Sequence, residues 1–525
     1  MVFQMLKGHP VETRTIALFA MGIPLLIGLA GWWRWDPDAV VDVDGAGAAA
    51  SGVPDARLAH LQYAADPLAD NAVAAMLGDV PAALNGQAAD AAALAQHLAL
   101  IAQVNRQFAS WTTNQSLQDW QPDSPALPTA VTQALQTYLQ QGQVLPDWAD
   151  AGKIARAEAL FMDVGPLSCT LLFCSSLPEC YVVPDLSAVL HAAGQLEAHT
   201  EHRVRATAAM TFPVMLRGGL TTPDGSGVAQ ILKVRLIHAT IRHLILHGSP
   251  AHALAVDRAV PGQGLGGQPR RDGDMYQTLL ELGWNVPHDG LPCNQEELAY
   301  TLLTFGYVFL RSLRRLGLGL APADEEAYLH AWNVVGHVLG IRRELMADTM
   351  AQAAALFGQM QALGRARPYL PDPRPPLGNA LMAAMESVIP FKVMKAFPTL
   401  LTRHLCGHSS AEAIGVDGRV SWVSKALFAL LMALAGTVDG VARLVVPGFS
   451  LSRLLTRVLG YHFMSRILMD QTRPLKLPSH LLNQVSQTLG GWGNDPGAPG
   501  WVNQLEDRLT KPGQWQFPVS ANPPS

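Results

Sequence analysis

Apolar residues recur at spacings of three and four through 68–108, 125–142, 184–216, 228–247, 274–283, 295–317, 323–346 and 348–363. That period turns one face of a helix toward a core. Alternating runs rich in Val, Ile and Thr are almost absent, so the pattern predicts an all-α fold. Gly- and Pro-rich stretches punctuate it: RGGLTTPDGSG (217–227), PGQGLGGQPRRDGD (261–274) and PYLPDPRPPLG (368–378). Each marks a connection between helices. No linker interrupts the middle of the chain, which predicts a single large helical domain over 60–415 with appendages at both ends.

The N-terminal appendage departs from the period. TIALFAMGIPLLIGLAGWW (15–33) is 19 residues without a charge, close to the ~20 needed to cross a bilayer. Lys7 and Arg14 precede it, and Trp32, Trp33 and Trp35 close it like an interfacial belt. Residues 1–35 therefore read as a single-pass membrane anchor with the following domain on the non-cytoplasmic side. A cleaved signal peptide and a buried helix are the alternatives. Residues 36–59 form a linker. ALFALLMALAGTV (426–438) is too short to span comfortably and predicts a core or interfacial helix within a C-terminal helical region, 416–483. The remainder, 484–525, is a Pro/Gly-rich tail.

Composition sharpens this reading. Charged residues are only 15% and AVILMFWYC 49%, against ~25% charged in an ordinary soluble domain, which suits a deep interior or membrane contact. A net charge of −5 with no basic stripe gives no footprint for nucleic acid. Cys169, Cys174, Cys180, Cys293 and Cys406 form neither C-x-x-C nor C-x-x-C-H, so no zinc knuckle or covalently attached c-type haem is encoded.

The candidate chemistry lies in VRLIHATIRHLILHGSP (234–250). On a helix His238 shares a face with Arg235 and Arg242, while His243 and His247 pair on another. Three readings are open: histidines satisfied within a core, a zinc pair from His243 and His247, or one imidazole on a haem iron with the arginines on its propionates. Upstream, Arg203 and Thr207 stand four apart and face the same way, a pairing that can hydrogen-bond dioxygen or simply edge a solvated face.

DPLADNAV (66–73), LPDWADAGKIARAEALF (145–161), Arg203-x-x-x-Thr207, a Gly-rich turn, VRLIHATIRH (234–243), CNQEELAYTLLTFGYVFLRSLRRLG (293–317) and EEAYLHAWNVVGHVLGI (325–341) follow one another in an order that resembles the latex clearing protein, or rubber oxygenase, family. The chain is also similar to membrane-bound fungal oxygenases that shorten terpenoid side chains. The resemblance implies an all-α domain holding one non-covalent haem b. His238 matches the axial iron ligand, His243 a recurrent histidine beside it, and Arg203 and Thr207 the dioxygen-side pair. Ala206 stands where the family has lysine, a departure that bears on polymeric rubber as substrate. The family's distal carboxylate has no clear match in this sequence; Asp185 and Glu197 are the acids that could serve. The activity implied is cleavage of a C=C bond in an isoprenoid or other apolar alkene by dioxygen; a haem monooxygenase, a peroxidase or a haem-binding protein without turnover are the alternatives.

Overall fold

Residues 167–185 carry almost no polar period, because the helical segment they form has no face toward water: every one of them is buried. The computed structural model describes residues 55–78, 91–123, 127–164, 167–192, 200–248, 284–367, 369–387, 389, 392–445, 500 and 504. The predicted anchor, most of the linker and most of the region after 445 lie outside the described residues. Among the described residues there is no strand ladder, and the fold is all-α.

Helices α1 (Asp55–Leu61), α2 (Pro67–Leu77), α3 (Ala91–Gln107), α4 (Thr129–Gly142) and α5 (Ala151–Val164) lead to the buried segment. That segment is α6 (Leu167–Leu171), a π turn (Leu172–Ser176) and α7 (Leu177–Cys180). Then come α8 (Pro184–Ala192), α9 (Thr200–Met215) and α10 (Gly227–Gly248). The second half comprises α11 (Val286–Asp289), α12 (Gln295–Phe305), α13 (Tyr307–Arg315), α14 (Pro322–Val338), α15 (Met350–Arg365), α16 (Arg374–Ser387), α17 (Phe397–Cys406), α18 (His408–Ala413) and α19 (Trp422–Val445). The periodic stretch 68–108 is two helices rather than one: α2 stops at Gly78, whose φ of +62° suits a residue without a side chain.

Packing joins the two halves. α5 lies along α14, α2 against both α4 and α10, and α9 against α10, while α12, α13 and α17 close over the π turn. At the end of the buried segment the Glu179 carboxylate, 1% exposed, accepts from Arg311 Nη2 (2.6 Å), Gln361 Nε2 (3.0 Å) and Ser410 Oγ (3.0 Å). One charge thus ties α7 to α13, α15 and α18, and the hydrogen bonds compensate the cost of removing it from water. No single helix among the described residues is long and apolar enough to cross a membrane. Trp422 at the start of α19 is 78% exposed, so this end of the helix is not core.

Candidate functional site

The α9–α10 hairpin carries both clusters singled out in the sequence, and a residue far upstream sets its geometry. Asn114 Nδ2 donates to Gly219 O (2.9 Å) and Thr222 O (2.8 Å), while its Oδ1 accepts from Val228 N (3.0 Å) in the first turn of α10. The side chain thereby satisfies both the loop and a helix N-terminus that would otherwise leave amide protons unpaired. Glu158 Oε2 of α5 accepts from Gly218 N (2.9 Å) on the other side. Burial pushes the Glu158 carboxyl above its ordinary value, with the loop amides pulling it back. A short connection between two packed helices makes them antiparallel, so the α9 residues two turns before the loop lie beside the middle of α10.

His238 occupies that middle. It is half-buried, with Nδ1 shut off from solvent. His243 is 7% exposed with Nε2 likewise enclosed; the side chain of His247 lies outside the described residues. Among the described residues no trio of His, Cys, Asp or Glu is placed to hold a bare metal ion.

Arg235 and Arg242 share the His238 face as their spacing predicts, but their donors meet protein. Arg235 grips Asp66 with Nε (2.6 Å) and Nη2 (2.7 Å) and donates Nη1 to Val338 O (2.9 Å). Arg242 donates Nε (2.9 Å) and Nη2 (2.7 Å) to Asp70 and Nη1 to Pro292 O and Cys293 O. Both are under 9% exposed. Burial alone would lower the Arg235 guanidinium; Asp66 carries it above its ordinary value instead. The expected propionate contacts thus give way to one buried and one half-buried ion pair that lock α10 onto α2, because Asp66 and Asp70 already supply the anionic acceptors a planar guanidinium prefers.

Thr207 is half-buried on α9, and its carbonyl accepts from Thr211 Oγ1 (3.0 Å) one turn later. The side chains of Arg203 and Ala206, and all of Glu197, lie outside the described residues. Asp185 is 2% exposed; its Oδ2 accepts from Arg367 Nη1 (2.7 Å) and its Oδ1 from Leu186 N (3.0 Å).

Two features escaped the sequence reading. The first is a small cavity walled by six aromatic rings, Phe161, Phe212, Phe305, Phe309, Tyr328 and Trp332, and floored by the π-turn segment. The rings lock in pairs: Phe305 stacks on Trp332 (centroids 5.3 Å), Phe309 on Tyr328 (4.8 Å), and Phe161 meets Phe212 edge-on (5.6 Å). The second is a carboxylate cluster around Arg367, whose Nη2 also reaches Glu296 (3.1 Å). Glu297 is 3% exposed with neither carboxylate oxygen partnered among the described residues. Burial, then Asp185 and Glu296, hold its carboxyl well above the usual range. Asp289, buried beside His288 (2.6 Å), is raised by burial and by Asp185. Spacing could flag the rings only as core and the acids only as a helix start.

Residues 280–437 match the family described as "ER-bound oxygenase mpaB/B'/Rubber oxygenase, catalytic domain", extending past the boundary at 415 expected from sequence. Among individual proteins, the rubber oxygenase of Streptomyces sp. (strain K30) is 26% identical over 389 residues, spanning 73% of this chain and 74% of that one. The solved structure of latex clearing protein in the closed state superposes over 87% of this chain and 94% of its own with a TM-score of 0.51; at 19% identity this likeness concerns the fold. The chain is thus similar to rubber oxygenases over most of its length, and residues 280–437 carry the match to the oxygenase catalytic domain.

Proposed function

We propose that the protein is a haem b-dependent oxygenase that cleaves a C=C bond of an isoprenoid or other apolar alkene with dioxygen, each carbon of the bond leaving as a carbonyl. The similarity to rubber oxygenases supports the oxygenase class. The observation that carries the cofactor is the donor set on α10: a half-buried imidazole, His238, with no trio of ligands for a bare metal ion among the described residues, suits an iron that a porphyrin already holds. His238 would hold the haem, with His243 enclosed one turn further along the helix. The haem, when bound, supplies dioxygen activation.

The chain's own part is positioning and electrostatics. Thr207, with Arg203 one turn before it in the sequence of α9, would donate hydrogen bonds to charge developing on oxygen. The Arg235–Asp66 and Arg242–Asp70 pairs fix the rotation of α10 about its axis, and hence the direction in which His238 points. With Ala206 in place of the family's lysine, the preferred substrates are short or cyclic isoprenoids over high-molecular-weight rubber. Residues 1–35 anchor the protein in a membrane, with the catalytic domain on the non-cytoplasmic side, where apolar substrates collect.

One experiment tests the reading. The absorption spectrum of purified wild-type protein is compared with that of His238→Ala, and both are incubated with squalene-like oligomers and with latex under labelled dioxygen. A Soret band lost in the variant, with labelled carbonyl products from the wild type, is the expected result. An unchanged band in His238→Ala refutes the ligand, and a band without carbonyl products returns the protein to the haem-binding class.

A further inference from the structure

A helix on the surface of a soluble domain turns its polar side to water; the first half of α19 does the opposite. At about 100° per residue, Ser424 and Phe428 share one side of it, and both are buried. Phe428 meets Phe397 of α17 edge-on, with ring centroids 5.5 Å apart. The side facing away from the domain is made of Trp422, Val423, Ala426 and Leu430, all exposed and all apolar. Trp422 is 78% exposed and Leu430 49%. The 3-10 turn Lys392–Met394 packs beside this helix and adds Val393, 48% exposed. Four of the seven large apolar side chains exposed among the described residues thus gather on one helix and one turn. Single, scattered exposed apolar residues are ordinary; a contiguous set marks a contact surface.

The charges around the patch identify what covers it. Lys392, Lys395, Arg419 and Lys425 are exposed, and neither 389–396 nor 418–433 contains an acid; Glu386 and Asp417 are the nearest along the chain. A second copy docked face to face would set this cationic rim against itself. Anionic headgroups complement it instead, and an apolar helix face with tryptophan and lysine at its margin has the composition that lies in a membrane interface. The helix lies on the surface rather than crossing it: no single described helix is long and apolar enough to span, and Asp439 and Arg443 stand in the second half of α19.

We propose that the first half of α19, with the Lys392–Met394 turn, is an interfacial surface that lays the domain on a bilayer bearing anionic headgroups. It is a contact separate from the anchor proposed at 1–35, and it depends neither on that anchor nor on the oxygenase reading.

All five cysteines are buried, so an introduced surface thiol is the accessible one. Leu430→Cys in the full-length protein is labelled with an environment-sensitive fluorophore and reconstituted with phosphatidylcholine vesicles, with and without phosphatidylglycerol. Val144→Cys, at a position 59% exposed and far from α19 in the chain, is the control. On the anionic vesicles the label at 430 is expected to shift to the blue, brighten several-fold and be quenched by lipid spin-labelled near the headgroup, while the label at 144 keeps its aqueous spectrum. Exchanging Lys392, Lys395 and Lys425 for Gln should cut the response several-fold, because each cation near an anionic surface contributes about fivefold in partition. A label at 430 that stays in water while the protein floats with the vesicles shows that another segment holds the membrane and overturns the surface. An equal response on neutral vesicles, or in the triple glutamine variant, overturns the anionic lipid. A label at 430 that is shielded from water yet beyond reach of the spin-labelled lipid gives the face to a second copy or to residues 446–525, with sedimentation separating the two. The readout needs neither haem nor turnover, so its failure and that of the oxygenase reading are distinguishable.

Discussion

Two buried arginine–carboxylate systems lie close together in this fold, and they are built on opposite principles. Between α2 and α10, Asp66 faces Arg235 and Asp70 faces Arg242, one charge against one, with five guanidinium hydrogen bonds to the two carboxylates and to Val338 O measured between 2.6 and 2.9 Å. Between α8 and α12, Asp185 and Glu296 share a single arginine while Glu297 and Asp289 stand behind them with oxygens that no described donor reaches. The first arrangement is balanced and fixes a geometry. The second carries a surplus of carboxyl groups, and burial raises three of them, Glu296, Glu297 and Asp289, whereas in the first burial raises Asp70 alone and Arg242 pulls it back.

The comparison breaks most visibly at the lock. Replacing Arg235 with Met leaves Asp66 charged and enclosed, and the expected loss is about 3–5 kcal/mol of unfolding free energy, read by chemical denaturation; restoring apolarity on both sides with Asp66→Leu should recover much of it. A loss under about 1 kcal/mol would mean that the pair is held by its surroundings rather than holding them.

At the surplus centre the test is pH. Burial pushes Glu296 up to about 7 against the pull of Arg367, whereas the unfolded chain titrates near ~4.3. Between those values the folded state holds the extra proton, so stability falls as pH rises from the unfolded pKa to the folded one. The full span is on the order of 3 kcal/mol. Glu296→Gln, which cannot ionise, should flatten the decline of Tm between pH 5 and 7 and melt higher than wild type at pH 8. An identical pH profile in the variant would show that this carboxyl is already neutralised by Arg367.

Glu297→Gln sharpens the contrast from below. Burial disfavours the charged form of this carboxyl, so an isosteric amide should change stability by no more than about 1 kcal/mol, measured in the same denaturant series. Smallest of all is the exposed pair Arg156–Asp324, whose two hydrogen bonds of 2.7 and 2.8 Å look as good as those of the lock. A double-mutant cycle should find about 0–1 kcal/mol there, because water competes for both partners.

Much of this was legible in the chain and some was not, for reasons of physics. Helices with one wet face, such as α4 with Leu135 buried and Gln140 exposed, announce themselves by period, and the Gly-rich loop between α9 and α10 is visible as a break. The π-turn segment is silent: a helix enclosed on all sides has no period to detect. The direction of Arg235 and Arg242 follows from spacing along α10, but the acids that receive them are supplied by α2, far away in sequence. Spacing within one helix cannot identify a partner on another, and so the arginines suggested a bound anion where the fold supplies its own. The orphaned oxygens of Glu297 and the aromatic cavity are products of three-dimensional packing alone.

The Asn114 clamp also fixes a temporal order. During synthesis the asparagine and the turn that carries it leave the ribosome well before residues 218–229, so the template exists when the α9–α10 hairpin first tries to close. The reverse holds for any fragment cut from the C-terminal side: residues 280–437, although they carry the match to the oxygenase catalytic domain, contain neither the hairpin nor the side chain that shapes its loop.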